Sequence, residues 1–276
     1  MASAERSQLF AGLRVTSFGT LASRILGMVR DMATAALFGL SGDGVMDAFV
    51  VAFRIPNLFR RLFGEGALAA SYLPVLSAKL EHDRKAAWQL ASVTLVWLAI
   101  ILAAVVVVAE AVCAGVWLLY GDAPGMKLLL GLSAVMLPYL FFICLAAQAS
   151  GTLHALAHFS TPALAPTLLN ICWLAAIWFV APRLTDDKHL QAYVLAVSVL
   201  FAGVLQLAAQ LPPLHRLGFR FDYNWSASRE AVGQIVRSTG PMVIGLAVTQ
   251  LNSFIDSLLA WGLSAPADGA EQIAWL

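Results

Sequence analysis

Apolar positions in this chain gather in long unbroken runs rather than in narrow amphipathic stripes. No Asp, Glu, Lys or Arg occurs from Ala86 to Ala109, from Leu128 to Pro182, or from His189 to His215. The hydrocarbon core of a bilayer is about 30 Å thick, and a helix needs roughly 20 mostly apolar residues to cross it. On that measure the chain divides into seven spans, at about 12–39, 47–76, 88–119, 127–153, 162–181, 190–211 and 235–263. The run from Leu128 to Pro182 is too long for one span. Gly151–Ser160 and Pro162 punctuate it, which predicts two helices joined by a short loop. The first segment carries charges through its middle and lacks a small-residue cleavage site, so it reads as a span rather than a cleaved signal peptide. The expected fold is therefore an all-α polytopic membrane protein.

Composition supports the same class. Of 276 residues 60% are hydrophobic and 12% charged, about half the usual charged share, and mean hydropathy is +0.80. So little charge could not cover the surface of a water-soluble protein of this size. A formal net charge of +1 gives no bias toward polyanions and argues against a nucleic-acid partner. Cys113, Cys144 and Cys172 sit inside apolar runs, too far apart for a metal knuckle, and read as packing residues.

The placement of Lys and Arg sets an expected direction. With the N-terminus inside, the cytoplasmic pieces carry Arg6, Lys79, Arg84, Lys85, Arg216, Arg220 and Arg229. The outer pieces carry Arg183 and Lys188, with Lys127 at one edge. Residues Ser226–Val236 alternate charged and apolar positions, a pattern for an amphipathic helix along the membrane surface.

The first two spans contain residues that hydropathy alone disfavours. Five of the seventeen basic residues lie between Arg24 and Arg61. A charge at bilayer depth costs about 2.5 kcal/mol or more and persists where it faces a polar cavity. In the first span Thr20, Ser23, Arg24, Gly27 and Asp31 share one helical stripe, with Arg30 about 100° round. In the second, Arg54, Asn57, Arg61, Gly64 and Glu65 form another, with Arg60 beside it, and Pro56 should kink the helix near Asn57. Five arginines face Asp31, Asp47 and Glu65. An excess of guanidinium in a cavity suits an anion, and Arg is the side chain fitted to bidentate phosphate binding. No nucleophile–base pair, metal-ligand set or ATP motif accompanies these residues, so neither an enzyme nor a cofactor is expected.

The segments Ser23–Asp31, Asp47–Phe49 and Phe53–Ala67 resemble the MurJ (MviN) lipid II flippase family, of the multidrug/oligosaccharidyl-lipid/polysaccharide exporter superfamily. Pro162–Asn170 and Leu205–Pro212 continue the resemblance. It implies a fourteen-helix transporter with two six-helix lobes facing a central cavity. Such a protein moves lipid-linked peptidoglycan precursor from the inner to the outer leaflet of the bacterial cytoplasmic membrane by alternating access, for cell-wall synthesis and cell shape. It further implies substrate binding at Arg24, Arg30, Asp31, Arg60, Ser23 and Asn57, and cavity or gating roles at Asp47, Arg54, Arg61 and Glu65.

Set against that pattern, residues 1–211 would be the first six-helix lobe, 212–234 a cytoplasmic linker with a candidate amphipathic helix, and 235–276 the first helix of a second lobe. The chain is thus expected to be a truncated form. Its expected partners are lipid II, the membrane, the missing second lobe and other cell-wall synthesis proteins. The rival readings are an exporter of another polyprenyl-linked glycan or of drugs, and a non-transporting membrane fragment. A drug exporter should show acids and aromatics in its cavity in place of the arginines.

Overall fold

The computed structural model describes residues 2–39, 44–60, 67–123 and 125–263, with side-chain surroundings from residue 16 onward except at 67–69 and parts of 243–263. All regular structure among these residues is helical. The order is α1 (Ala2–Phe38), α2 (Val45–Phe59), α3 (Ala67–His82), α4 (Arg84–Tyr120), α5 (Met126–Ala155), α6 (Ser160–Ala175), α7 (Ala181–Leu184), α8 (Lys188–Ala208), α9 (Leu211–Arg216) and α10 (Trp225–Leu263). Among the described residues four stretches are long and apolar enough to cross a membrane: Arg84–Tyr120, Met126–Ala155, Ser160–Leu184 and Lys188–Arg216.

The helices start and stop for local reasons. Asp83 caps α4, its carboxylate accepting from the Lys85 and Ala86 amides at 2.8 and 3.2 Å. Asp187 caps α8 through the His189 amide at 2.9 Å. Between α6 and α7 the chain makes one π-helical stretch, Ala176–Val180. Pro182 explains it: proline has no N–H, and its ring crowds the carbonyl four residues back, so the ladder opens.

Helix α5 is the hub, packing on α2, α3, α4 and α8, while α6 joins α8 to α1 and α10 lies on α3 and α4. The core is aromatic and aliphatic, with Phe49, Tyr72, Leu90, Leu132, Met136, Tyr139 and Leu195 at most 1% exposed. Its tightest seam joins α5 and α8. A Cβ on Gly203 would stand 2.6 Å from Tyr139 Cδ2, and buried Ala192, Ala196 and Ala202 share that helix. Small residues are what lets apolar helices approach when lipid is the alternative neighbour.

The segment expected as a linker is pinned to the bundle. The Asp222 amide donates to Ser92 Oγ at 3.0 Å, Gln89 Nε2 donates to Asp222 Oδ2 at 2.9 Å, and Phe219 packs edge-on against Trp88. The candidate surface helix at 226–236 and the last span form one helix, α10. Ser228, Ala231 and Ile235 are buried and Arg229, Glu230 and Arg237 exposed, and the helix packs on α3 and α4.

Candidate functional site

A cavity of about 840 Å³ opens among α1, α2, α5, α6 and α8. Helix α1 lines it with Thr16, Thr20, Ser23, Arg24, Gly27 and Arg30, positions that recur at the helical period. Helix α2 and the residue after it add Phe53, Asn57 and Arg60. The far wall carries Ser150 and His154 of α5, Asn170 of α6, Gln206 of α8 and Gln210. Among the described residues three guanidinium groups and no carboxylate line the cavity.

Arg30 is held from several sides. Its Nε and Nη2 donate to Asp31 Oδ1 at 2.9 and 2.7 Å, and its Nη1 donates to Asn170 Oδ1 at 3.1 Å. Its guanidinium carbon lies 4.7 Å from the centre of the Trp173 ring. Arg30 is 18% exposed and Asp31 69%. The stripe expected from the sequence put Asp31 on the cavity side and Arg30 beside it. The structure lines the cavity with Arg30 and turns Asp31 outward, because Trp173 and Asn170 draw the long arginine side chain across to α6.

Arg24 is exposed and has no hydrogen-bond or ion-pair partner among the described residues. Arg60 Nε donates to Asn57 Oδ1 at 3.0 Å, one helical turn apart, which aims the guanidinium at the cavity. Ser23 contributes a lining side chain and a carbonyl that accepts from Asn170 Nδ2 at 3.0 Å. Asp47 lies away from the cavity in the first turn of α2, 4% exposed, with Oδ1 unpartnered among the described residues. Arg54 is half-buried and off the wall. Residues 53, 57 and 60 face inward, and position 54 is rotated about 100° from 53. Arg61 and Glu65 lie outside the described residues.

Sequence reasoning did not single out Ser150, Gln206 and Gln210 on the far wall. Ser150 Oγ donates to Gln210 Oε1 at 2.8 Å, Gln206 Nε2 to the Ala165 carbonyl at 2.8 Å, and Gln210 Nε2 to the Gln206 carbonyl at 3.3 Å. The spacing of Gln206 and Gln210, four apart in a charge-free run, was the available signal. Trp173 left none, since a tryptophan in an apolar helix looks like any packing residue.

Chemically, the arrangement offers N–H donors on three cations to one multivalent anion. Each charge-assisted hydrogen bond contributes about 1.5–3 kcal/mol.

A family profile described as lipid II flippase MurJ matches residues 34–267. The lipid II flippase MurJ of Burkholderia cenocepacia is 35% identical over 97% of this chain and 52% of its own length. A solved structure of a lipid II flippase MurJ in an inward closed conformation superposes with a TM-score of 0.70 at 22% identity, covering 91% of this chain and 51% of that one. A MOP superfamily transporter from Pyrococcus furiosus superposes with a TM-score of 0.67 at 15% identity, over 92% of this chain and 55% of that one. The chain thus spans about half the length of the curated relatives it matches.

Proposed function

The chain belongs to the MurJ lipid II flippase family, and on that premise we propose that its cavity holds the pyrophosphate of a lipid-linked peptidoglycan precursor as the precursor passes from the inner to the outer leaflet. It is a multi-pass membrane protein of a family of transporters, not enzymes. The observation that carries the reading is the cationic cavity: Arg24, Arg30 and Arg60 on the wall, with Asp31 reaching it only through Arg30.

A pyrophosphate would meet Arg24 first, because that guanidinium is exposed and has no partner among the described residues. Arg60, steadied by Asn57, and Arg30, steadied by Asp31 and Asn170, would complete the shell. In a low-dielectric cavity these bonds are stronger than in water. Asp31 has a further role as a resident counter-anion, holding Arg30 when the substrate leaves. The excess of Lys and Arg in the pieces at one end supports an N-terminus on the cytoplasmic side.

Translocation needs an opposite wall that opens and closes against this one. We therefore assign the chain one lobe of a two-lobe carrier, with lipid II as substrate. The test is growth of bacteria depleted of their own flippase and supplied with this chain, with and without a co-expressed second half from a relative. Growth should require both pieces and should be lost when Arg24, Arg30 and Arg60 are all alanine. Normal growth with the triple variant would sink the phosphate reading.

A further inference from the structure

Helix α6 carries two residues that touch Arg30, Asn170 through a hydrogen bond and Trp173 through its ring face. Asn170 and Trp173 stand one turn apart, each 4% exposed. The Asn170 amide is committed at both ends. Its Nδ2 donates to the Ser23 carbonyl at 3.0 Å, and its Oδ1 accepts from Arg30 Nη1 at 3.1 Å. A carbonyl can only accept and a guanidinium can only donate, so one orientation of the amide satisfies both. Trp173 is fixed in a similar way. Its Nε1 donates to Thr34 Oγ1 at 3.1 Å, and that hydroxyl donates to the Arg30 carbonyl at 2.7 Å. The indole therefore hangs from the same turn of α1 that bears the guanidinium stacked on it.

The consequence is a counted set of donors. Arginine has five N–H groups. Asp31 takes one on Nε and one on Nη2, and Asn170 takes one on Nη1. One N–H remains on each terminal nitrogen, free to donate to an anion in the cavity. Without Asn170 and the ring, the long, flexible side chain would sample many directions and follow Asp31 toward the exposed side.

We propose that Asn170 and Trp173 are positioning residues that hold Arg30 with its last two N–H groups turned to an incoming phosphate, a role that rests on the pyrophosphate reading of the cavity. Neither residue carries charge for the anion. Both act through Arg30, and Asn170 also ties the backbone of α1 at Ser23 to α6, so the cation keeps its place relative to the far wall.

The experiment uses the whole chain in phosphatidylcholine nanodiscs, titrated with farnesyl pyrophosphate. Asn170→Ala should weaken binding by about tenfold. In an Arg30→Ala background the same change should alter affinity by less than about twofold, and in an Arg60→Ala background it should again cost about tenfold. Trp173→Phe, which keeps an aromatic face but loses the bond to Thr34, should show the same dependence on Arg30 with a smaller loss. An undiminished effect of Asn170→Ala in the Arg30→Ala background would overturn the proposal, since a general packing defect does not depend on Arg30. A second readout needs no ligand: the rate at which phenylglyoxal modifies Arg30, followed by peptide mass spectrometry. Asn170→Ala and Trp173→Phe should each raise that rate, and an unchanged rate in both would overturn the proposal. Should the parent chain bind no farnesyl pyrophosphate while both variants raise the rate, the pyrophosphate reading falls and the positioning role stands.

Discussion

Arg24 and Arg30 line the same cavity, yet removing them should have different consequences for the fold. Arg24→Ala deletes an exposed cation with no partner among the described residues. Its loss should remove one charge-assisted contact to phosphate, about 1.5–3 kcal/mol, or roughly a 10- to 100-fold weaker affinity, with little change in stability. Arg30→Ala should weaken affinity by a similar factor and destabilise the protein as well. It strips the donor from Asn170 Oδ1, on a residue 4% exposed, at about 1–3 kcal/mol. It also removes the stack on Trp173, at about 0.5–2 kcal/mol. Asp31 is too exposed for its lost partner to add much. At about 2–4 °C per kcal/mol for chains approaching this length, Arg30→Ala should lower the unfolding midpoint by about 3–20 °C. Thermal unfolding in detergent, followed by tryptophan fluorescence, and farnesyl pyrophosphate titration in nanodiscs measure the two effects separately. Equal thermal losses for both variants, or unchanged affinity in Arg24→Ala, would refute the reasoning.

Three further outcomes test the fold beneath the site. Helices α5 and α9 end in the same motif: the amide of His158 reaches back to the Leu153 carbonyl and that of Phe219 to the Leu214 carbonyl, at 2.9 and 3.0 Å. The left-handed position is Gly218 in one and Ala157, at φ 56°, in the other. Ala157→Gly should therefore raise stability by about 0.5–1 kcal/mol and Gly218→Ala lower it by about 1 kcal/mol, and thermal shifts of the opposite pair of signs would contradict the assignment. Gly203→Ala should cost about 1–3 kcal/mol, because its Cβ would stand 2.6 Å from Tyr139 and 3.3 Å from Phe142; an unchanged midpoint would show that the α5–α8 seam is looser than described. In a chain with Cys113, Cys144 and Cys172 replaced, single cysteines at Asp122 and Asp186 should react with an impermeant thiol reagent from outside and one at Arg84 should not; the reverse pattern would invert the orientation.

Charge placement made most of the fold legible. Helices α4, α5, α6 and α8 fall in or beside stretches without Asp, Glu, Lys or Arg, and lipid leaves a backbone little alternative to helix. The start of α10 was not legible, because the stripe Ser228, Ala231, Ile235 has the same period whether its neighbour is a headgroup layer or another helix. At the site, Arg24, Arg30 and Arg60 stood out as cations inside spans. The exchange of places between Arg30 and Asp31 did not, since a helical wheel locates a Cα and not the end of a long side chain. Asn170 was visible as a polar residue in an apolar span, but its attachment to Arg30 is a contact across 140 positions that no local pattern records.

On the proposed function, the cavity recognises a lipid-linked substrate through its pyrophosphate. The most direct measurement is equilibrium binding of lipid II to the chain in neutral nanodiscs, beside the same sugar–peptide head on an undecaprenyl chain lacking phosphate. Lipid II should bind at least about tenfold more tightly, inorganic pyrophosphate should compete, and the preference should vanish when Arg24, Arg30 and Arg60 are alanine. Equal affinity for the two lipids, or a preference that survives the triple substitution, would contradict the account.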